Sequence, residues 1–345
     1  VKYLITGGAG FIGAALVRRL VATGADVLNV DALTYAGDLR RVAECVGRPN
    51  YRFLHADIAD RAAMDAAIAG FQPDAVLNLA AESHVDRSID SPESFVRTNV
   101  TGAYVMLEAS LEWLRREKRA LDTFRFVQVS TDEVFGSLQP DDVAFCETTP
   151  YDPSSPYSAS KAAADHLAAA WRRTYGLPVI ITNCSNNYGP YQHREKLIPT
   201  VIGAALAGAP APIYGTGENI RDWLHVEDHV TGLIAAVARG RAGGRYLFGG
   251  SAERTNLDLV RAICAVLDRL APKAFGSYAE QISFVTDRPG HDLRYAVDPS
   301  HAQTELGWRA AHTLERGLEQ TVGWYLANPE WRAAPERLGV SRATG

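Results

Sequence analysis

The chain reads as an α/β protein, a doubly wound parallel sheet followed by a smaller C-terminal lobe. Three observations carry that reading. Short apolar, β-branched runs alternate with longer segments of helical spacing through the first half. The first run opens onto the glycine turn Gly7-Gly8-Ala9-Gly10-Phe11-Ile12-Gly13. Several runs also end in hydroxyls, carboxylates or amides, as strands of an open parallel sheet do where their carboxyl ends face a ligand. With 345 residues, 47% of them apolar, the chain can bury a large core. A formal net charge of −5 argues against nucleic acid as a partner. Cys45, Cys146, Cys184 and Cys264 have neither the density of a disulfide framework nor metal-ligand spacing, so a reducing, cytoplasmic setting and no metal site are expected. No apolar run is long enough to span a bilayer, and the start carries no signal-peptide pattern, so no membrane partner is expected either.

Taken in order, Val1 to Thr6 reads as a strand, the glycines as a turn, and the run to Thr23 as a helix. Gly7 permits the turn, Gly10 lets the backbone approach a pyrophosphate, and Gly13 lets helix and strand pack closely. Asp26 to Val30 forms a second strand ending at Asp31, about 20 residues on, where a carboxylate accepts hydrogen bonds from ribose hydroxyls. That arrangement predicts a Rossmann-type fold and an unphosphorylated ribose, hence NAD rather than NADP. Further strands are expected at Tyr51 to His55, Ala75 to Leu79, Phe124 to Ser130 and Val179 to Thr182. Asp57-Ile58 suits an adenine contact, and capping of the next helix explains Asp57 equally well. Ala80 to Ser88 follows the fourth strand at its ligand end. His84 there has no second ligand at a recognisable spacing, so a substrate or cofactor contact is expected rather than a metal. Ser91-Pro92-Glu93 starts a long helix that carries Thr98 and Asn99 toward the cofactor.

The run Val127-Gln128-Val129 stops at Ser130-Thr131-Asp132-Glu133, delivering hydrogen-bonding and proton-transfer groups to the ligand side of the sheet. Tyr157 and Lys161 then stand four apart on an alanine-rich helix that runs to about Tyr175, so they share a face. A phenol is a poor base at neutral pH, but a neighbouring ammonium and a nicotinamide cation both favour its phenolate. The second half loses strict alternation. Residues 1–183 are read as the dinucleotide-binding domain, to which later segments can return. Residues 184–332 are read as mainly the substrate lobe and 333–345 as a tail. Within the lobe, Asn183 to Tyr191 reads as a polar turn, Lys196 to Pro199 as the start of a helix, and Ile213 to Gly215 as extended. Arg221-Asp222-Trp223 precedes a helix from about Val226, and further helices start near Asn256 and Thr313. Arg221, Arg288 and Arg294 offer planar forks suited to diphosphate, with one of the three expected at the surface.

Together these stretches resemble the dTDP-glucose 4,6-dehydratase family of the extended short-chain dehydrogenase/reductase superfamily. The resemblance runs from Gly7 to about Trp331 and includes Leu33-Thr34-Tyr35-Ala36-Gly37, Ala80 to Ser88, Ser130 to Gly136 and Asp287 to Tyr295. It implies cofactor contacts at Gly7, Gly10, Phe11, Ile12, Gly13, Asp31, Leu33, Thr34, Asp57, Ile58, Ala80, Ala81, Thr98, Ser130, Tyr157, Lys161 and Asn187. It implies nucleotide-sugar contacts at Ser83, Thr131, Asn186, Lys196, Leu197, Tyr214, Arg221, Asn256, His291 and Tyr295. The implied reaction dehydrates dTDP-glucose through internal hydride transfer from C4 to C6. Tyr157, helped by Lys161 and Thr131, acts at C4, Glu133 takes the C5 proton, and Asp132 protonates the departing C6 hydroxyl. A homodimer is implied as well. A UDP-glucose dehydratase, a 4-epimerase, a decarboxylase or a non-catalytic NAD-sensing protein are the alternatives; the two carboxylates favour dehydration. Phe135, Ala14, Leu293 and His193-Arg194 depart from the family pattern.

Overall fold

A computed structural model describes residues 1–287 and 289–332. Arg288 and the tail from residue 333 therefore lie outside the described residues. Strand β1 (Lys2–Thr6) ends at Gly7, whose φ of +70° turns the chain toward helix α1 (Phe11–Ala22). A Cβ on Gly13 would lie 2.1 Å from the Gly7 carbonyl oxygen, so a larger residue cannot start the helix this close to the turn. Next come β2 (Asp26–Asp31), β3 (Tyr51–His55), α2 (Arg61–Phe71) and β4 (Ala75–Asn78). After β4 the chain forms α3 (Val85–Asp90) and α4 (Pro92–Phe95), then passes through a π-helical segment, Val96–Gly102, into α5 (Ala103–Arg116). The single long helix expected after Ser91 thus contains a widened turn. Asn99 in that turn accepts the Glu82 N–H at 2.9 Å and donates to the Glu82 carbonyl at 3.0 Å and to Ser160 Oγ at 2.8 Å.

Strand β5 (Arg125–Thr131) leads to α6 (Pro156–Tyr175), whose start is fixed by a capping box between Ser155 and Ser158 with a proline in the first turn. There follow β6 (Val179–Cys184), β7 (Asn186–Tyr188), α7 (Leu197–Leu206), β8 (Ala211–Tyr214) and β9 (Ile220–His225). The rest comprises α8 (Val226–Arg239), β10 (Arg245–Phe248), β11 (Glu253–Thr255), α9 (Asn256–Leu270), β12 (Ile282–Val285), α10 (Ser300–Leu306) and α11 (Leu314–Ala327).

The main sheet has the order β10-β6-β5-β4-β1-β2-β3, with every neighbouring pair parallel. Helices cover both faces, which is why β4 and β6 read as unbroken buried runs. One apolar core packs α1 and α8 against one face, and another packs α2 and α5 against the other. The lobe has its own core around α7, α9 and α11. One expectation about local structure changes: Asn186–Tyr188 is a short strand rather than a turn. Arg221 to Trp223 precede the helix at Val226 as expected, inside β9, which pairs with β7 and β11. A buried polar chain crosses the main sheet: Thr6 Oγ1 donates to Asn78 at 2.7 Å, and Asn78 donates to Gln128 at 2.9 Å. Thr6 also accepts the N–H groups of Leu79 and Ala80 at 3.1 Å each, which sets the path of the loop after β4. Among the described residues no helix is long and apolar enough to cross a membrane. Nor does any group of three or more His, Cys, Asp or Glu side chains gather as metal ligands.

Candidate active site

Strand order reverses between β1 and β4, and the loops leaving both strands meet there. A Cβ on Gly7 would lie 2.8 Å from the Ala80 nitrogen. In an open α/β sheet this crevice is where ligands bind. A cavity of about 440 Å³ opens from it, walled by loops after β1, β2, β4, β5 and β6. Gly7, Gly10, Phe11, Ile12 and Gly13 line one end. The cap residue of α1 is Gly10, which offers no side-chain hydrogen bond, so the first N–H groups of the helix remain for an anion. Asp31 Oδ2 accepts the Ala9 N–H and Oδ1 the Leu33 N–H, both at 2.8 Å, and each oxygen keeps a lone pair for a ribose hydroxyl. Thr34, Asp57, Ile58, Ala80, Ala81, Ser83 and Thr98 continue the wall. Asp57 accepts the Ala59 N–H at 2.8 Å and pairs with Arg97 at 2.6 Å, while the cap of α2 is Asp60. A glycine cradle, an open helix start and a carboxylate at the end of β2 together fit a dinucleotide.

The floor of the cavity is the end of β5. Ser130, Thr131, Asp132 and Glu133 line it, with Tyr157 and Lys161 from α6 and Asn186 and Asn187 from β7. Thr131 Oγ1 donates to Asp132 Oδ1 at 3.3 Å and accepts the Glu133 N–H at 3.3 Å. Asp132 is 2% exposed, and its Oδ2 has no hydrogen-bond partner. Burial first, then the Glu133 carboxylate, hold the Asp132 carboxyl well above the usual range, against the opposing pull of Arg221. Such an acid stays protonated where an ordinary aspartate is ionised. Burial, followed by Glu133, also pushes the Tyr157 phenol well above its usual range. Lys161 donates to the Val129 carbonyl at 2.7 Å, and burial lowers its pKa while Asp165 opposes that shift. Cys184 and Asp132 add to the upward push on Tyr157, and a hydrogen bond with Thr131 opposes it.

Comparison with known proteins places the chain among sugar-nucleotide dehydratases. Residues 4–321 match a family model described as GDP-mannose 4,6 dehydratase. A probable dTDP-glucose 4,6-dehydratase of Sinorhizobium fredii is 56% identical over 331 residues, which cover 96% of this chain and 94% of the relative. The dTDP-glucose 4,6-dehydratase 1 of Escherichia coli K12 is 54% identical, with the same coverage. The chain belongs to the dTDP-glucose 4,6-dehydratase family. A solved structure of the family, DesIV from Streptomyces venezuelae with NAD bound, superposes with a TM-score of 0.87 at 43% identity, covering 96% of this chain and 99% of that one. A UDP-glucose 4-epimerase of Thermotoga maritima has the same fold, with a TM-score of 0.83 at 26% identity and coverage of 95% and 99%.

Not every residue implied by family resemblance reaches the cavity. Ser83, Asn186 and Lys196 line it, whereas Leu33, Leu197, Tyr214, Arg221, Asn256, His291 and Tyr295 do not. Leu33 takes a positive φ of 51° and turns its N–H to Asp31, and Leu197 packs against the core of the lobe. Arg221 stacks 4.2 Å from the Tyr295 ring and donates to the carbonyls of Ile220, Asp292 and Leu293. It still reaches the floor electrically, through Asp132, as Tyr295 does through Glu133. Tyr214 donates to Asp86 at 3.4 Å and meets His291 edge-on, and Asn256 opens α9. Arg294 is not a diphosphate fork: it grips both oxygens of Glu253 at 2.6 and 3.0 Å and two backbone carbonyls besides. His84 does not line the cavity, and its ring faces Glu195 at 3.6 Å.

Several cavity residues were given no contact by sequence reasoning, among them Arg97, Cys184, Ser185 and Gln192. Each adjoins a motif residue, so proximity to a motif is the signal that could have found them. His229 is subtler. Its Nδ1 lies 3.0 Å from Asn187 Oδ1, and burial pushes its pKa down to about 3, so a neutral ring orients that amide. The departures from the family pattern mostly fall in packing. Phe135 stacks 5.1 Å from both Phe145 and Tyr151, Ala14 is fully buried, and the Leu293 carbonyl receives Arg221. His193 is the exception, since it lines the cavity.

Proposed function

We propose that this protein removes water from dTDP-glucose to give dTDP-4-keto-6-deoxyglucose, with NAD as a cofactor that ends each turnover unchanged. The observation that carries the proposal is Asp132: a buried, largely unsatisfied carboxylic acid beside a second carboxylate at the end of β5. When bound, NAD supplies the hydride acceptor for C4, the later donor for C6, and a pyridinium charge that favours the Tyr157 phenolate. Tyr157 takes the proton of the C4 hydroxyl, which Thr131 orients. The C4 ketone then acidifies the hydrogen on C5, and Glu133 removes it. Asp132 gives its proton to the C6 hydroxyl, which leaves as water rather than as hydroxide. Separated pKa values are what let adjacent carboxylates take opposite tasks, and the burial of Asp132 provides the separation. An epimerase needs only the tyrosine and the hydroxyl, so it has no use for this pair.

Residues 1–183 serve the dinucleotide, with β10 returning to complete their sheet, and 184–332 otherwise mainly serve the nucleotide sugar. We assign the protein to the cytoplasm as a homodimer; Val96, Tyr104 and Tyr175, 55%, 42% and 42% exposed around α5 and α6, support a second copy covering that face. Incubation with dTDP-glucose and, separately, UDP-glucose, scored by the alkaline absorbance of a 4-keto product, tests the activity. Product from dTDP-glucose is expected; none from either sugar nucleotide would overturn it.

A further inference from the structure

Four side chains that the chemistry does not use form a closed ring against one wall of the cavity. The Arg87 guanidinium lies 4.0 Å from the Tyr35 ring centre, and the His193 ring meets Tyr35 edge-on at 5.6 Å. Arg87 donates to Glu195 at 2.5 Å, and Glu195 lies 3.5 Å from His193 Nδ1, which closes the circuit. The members come from three segments distant in sequence: the loop after β2, the first turn of α3, and the loop before α7. Lys196 Nζ donates to the Ser83 carbonyl at 3.3 Å and joins the second and third again. Each segment also supplies cavity wall, through Thr34 and Ala36, through Ser83, and through His193 and Lys196. Arg41, which donates to the Ala36 carbonyl at 2.6 Å and the Tyr191 carbonyl at 3.0 Å, ties the first and third segments a second time, and among the described residues the ring is the one set of side chains that links all three.

We propose that Tyr35, Arg87, His193 and Glu195 act as a clasp that retains the dinucleotide throughout the catalytic cycle. They are positioning residues. The inference rests on the reading above that NAD fills the cavity, and that chemistry gives the clasp its purpose: a cofactor that escaped halfway would strand an oxidised sugar. Planar stacking of Arg87 on Tyr35 and its ion pair with Glu195 each contribute modestly, and together they slow escape by about tenfold.

The test uses the full-length protein loaded with isotopically labelled NAD and chased with excess unlabelled NAD. Arg87→Ala, which removes both contacts, should exchange about tenfold faster than wild type, and Glu195→Gln, which removes the ion pair alone, about threefold faster, each keeping the wild-type thermal midpoint. Arg241→Ala, which removes an exposed ion pair with Glu305 away from the cavity, should exchange at the wild-type rate. Added salt should speed wild-type exchange more than that of Glu195→Gln, because only the former has the Arg87–Glu195 pair to screen, while both keep the Asp57–Arg97 pair. Glu195→Gln is isosteric and carries the test alone should Arg87→Ala unfold. Exchange within about twofold of wild type in the folded variants would overturn the clasp while leaving the dehydratase reading intact. A wild type that binds no NAD would overturn both.

Discussion

Asp132 at the end of β5 and Arg294 in the loop before α10 are both nearly buried, 2% and 9% exposed, yet their surroundings treat them differently. Arg294 spends its fork on Glu253 and its remaining donors on the carbonyls of Gln139 and Asp142. Asp132 has one long hydrogen bond from Thr131 and an oxygen with no partner. A charge whose bonding capacity is filled belongs to the architecture. A buried acid left partly unsatisfied costs stability and is retained where a substrate completes its bonding. In sequence the two look alike, since each sits in a polar stretch dense in donors and acceptors.

That contrast can be broken experimentally. Asp132→Asn should lower turnover by about a thousandfold while C4 oxidation persists. Single-turnover NADH absorbance separates the two steps, and equal loss of both would remove Asp132 from its assigned role. Arg294→Met should act on folding instead. Because Glu253 is partly exposed, the expected loss is about 2 kcal/mol rather than the larger cost of a fully buried pair, read by urea denaturation, with KM for dTDP-glucose unchanged. A raised KM with intact stability would make Arg294 a substrate contact and erase the distinction. The smallest effect is on pH dependence. The Asp132 pKa is raised in the fold, so its stabilising contribution is full below the unfolded value of 3.8 and is lost as pH rises through the folded value. Wild type should therefore lose stability relative to Asp132→Asn as pH climbs from about 4 toward neutrality. Parallel curves for the two proteins would place the ionisation elsewhere.

The first six strands of the main sheet were legible to within two residues, because each is a mostly buried apolar run with a polar end. The glycine turn, Asp31, the Ser130 to Glu133 floor and the Tyr157–Lys161 face were legible for a related reason, since fixed backbone geometry demands particular residue types there. The seventh strand, Arg245–Phe248, was not: four residues after a glycine pair carry too little periodicity to distinguish a strand from a loop. The π-helical turn is also invisible in sequence, because it depends on Asn99 bonding across to Glu82. The lobe was least legible. The same guanidinium fork serves diphosphate in one setting and Glu253 in another, and only tertiary contact decides between them.

Placement of β10 has a consequence for how the protein is made. The strand that completes the parallel sheet lies 60-odd residues beyond the end of its neighbour β6, with β7, α7, β8, β9 and α8 synthesised in between. While a ribosome is still working through those segments, β6 presents an unpaired edge of β-branched residues, Val179, Ile180 and Ile181, to the cell. Exposed edges of this kind template intermolecular pairing. Fragments truncated before Arg245 should therefore aggregate, and late nascent chains should be the ones that most need a chaperone.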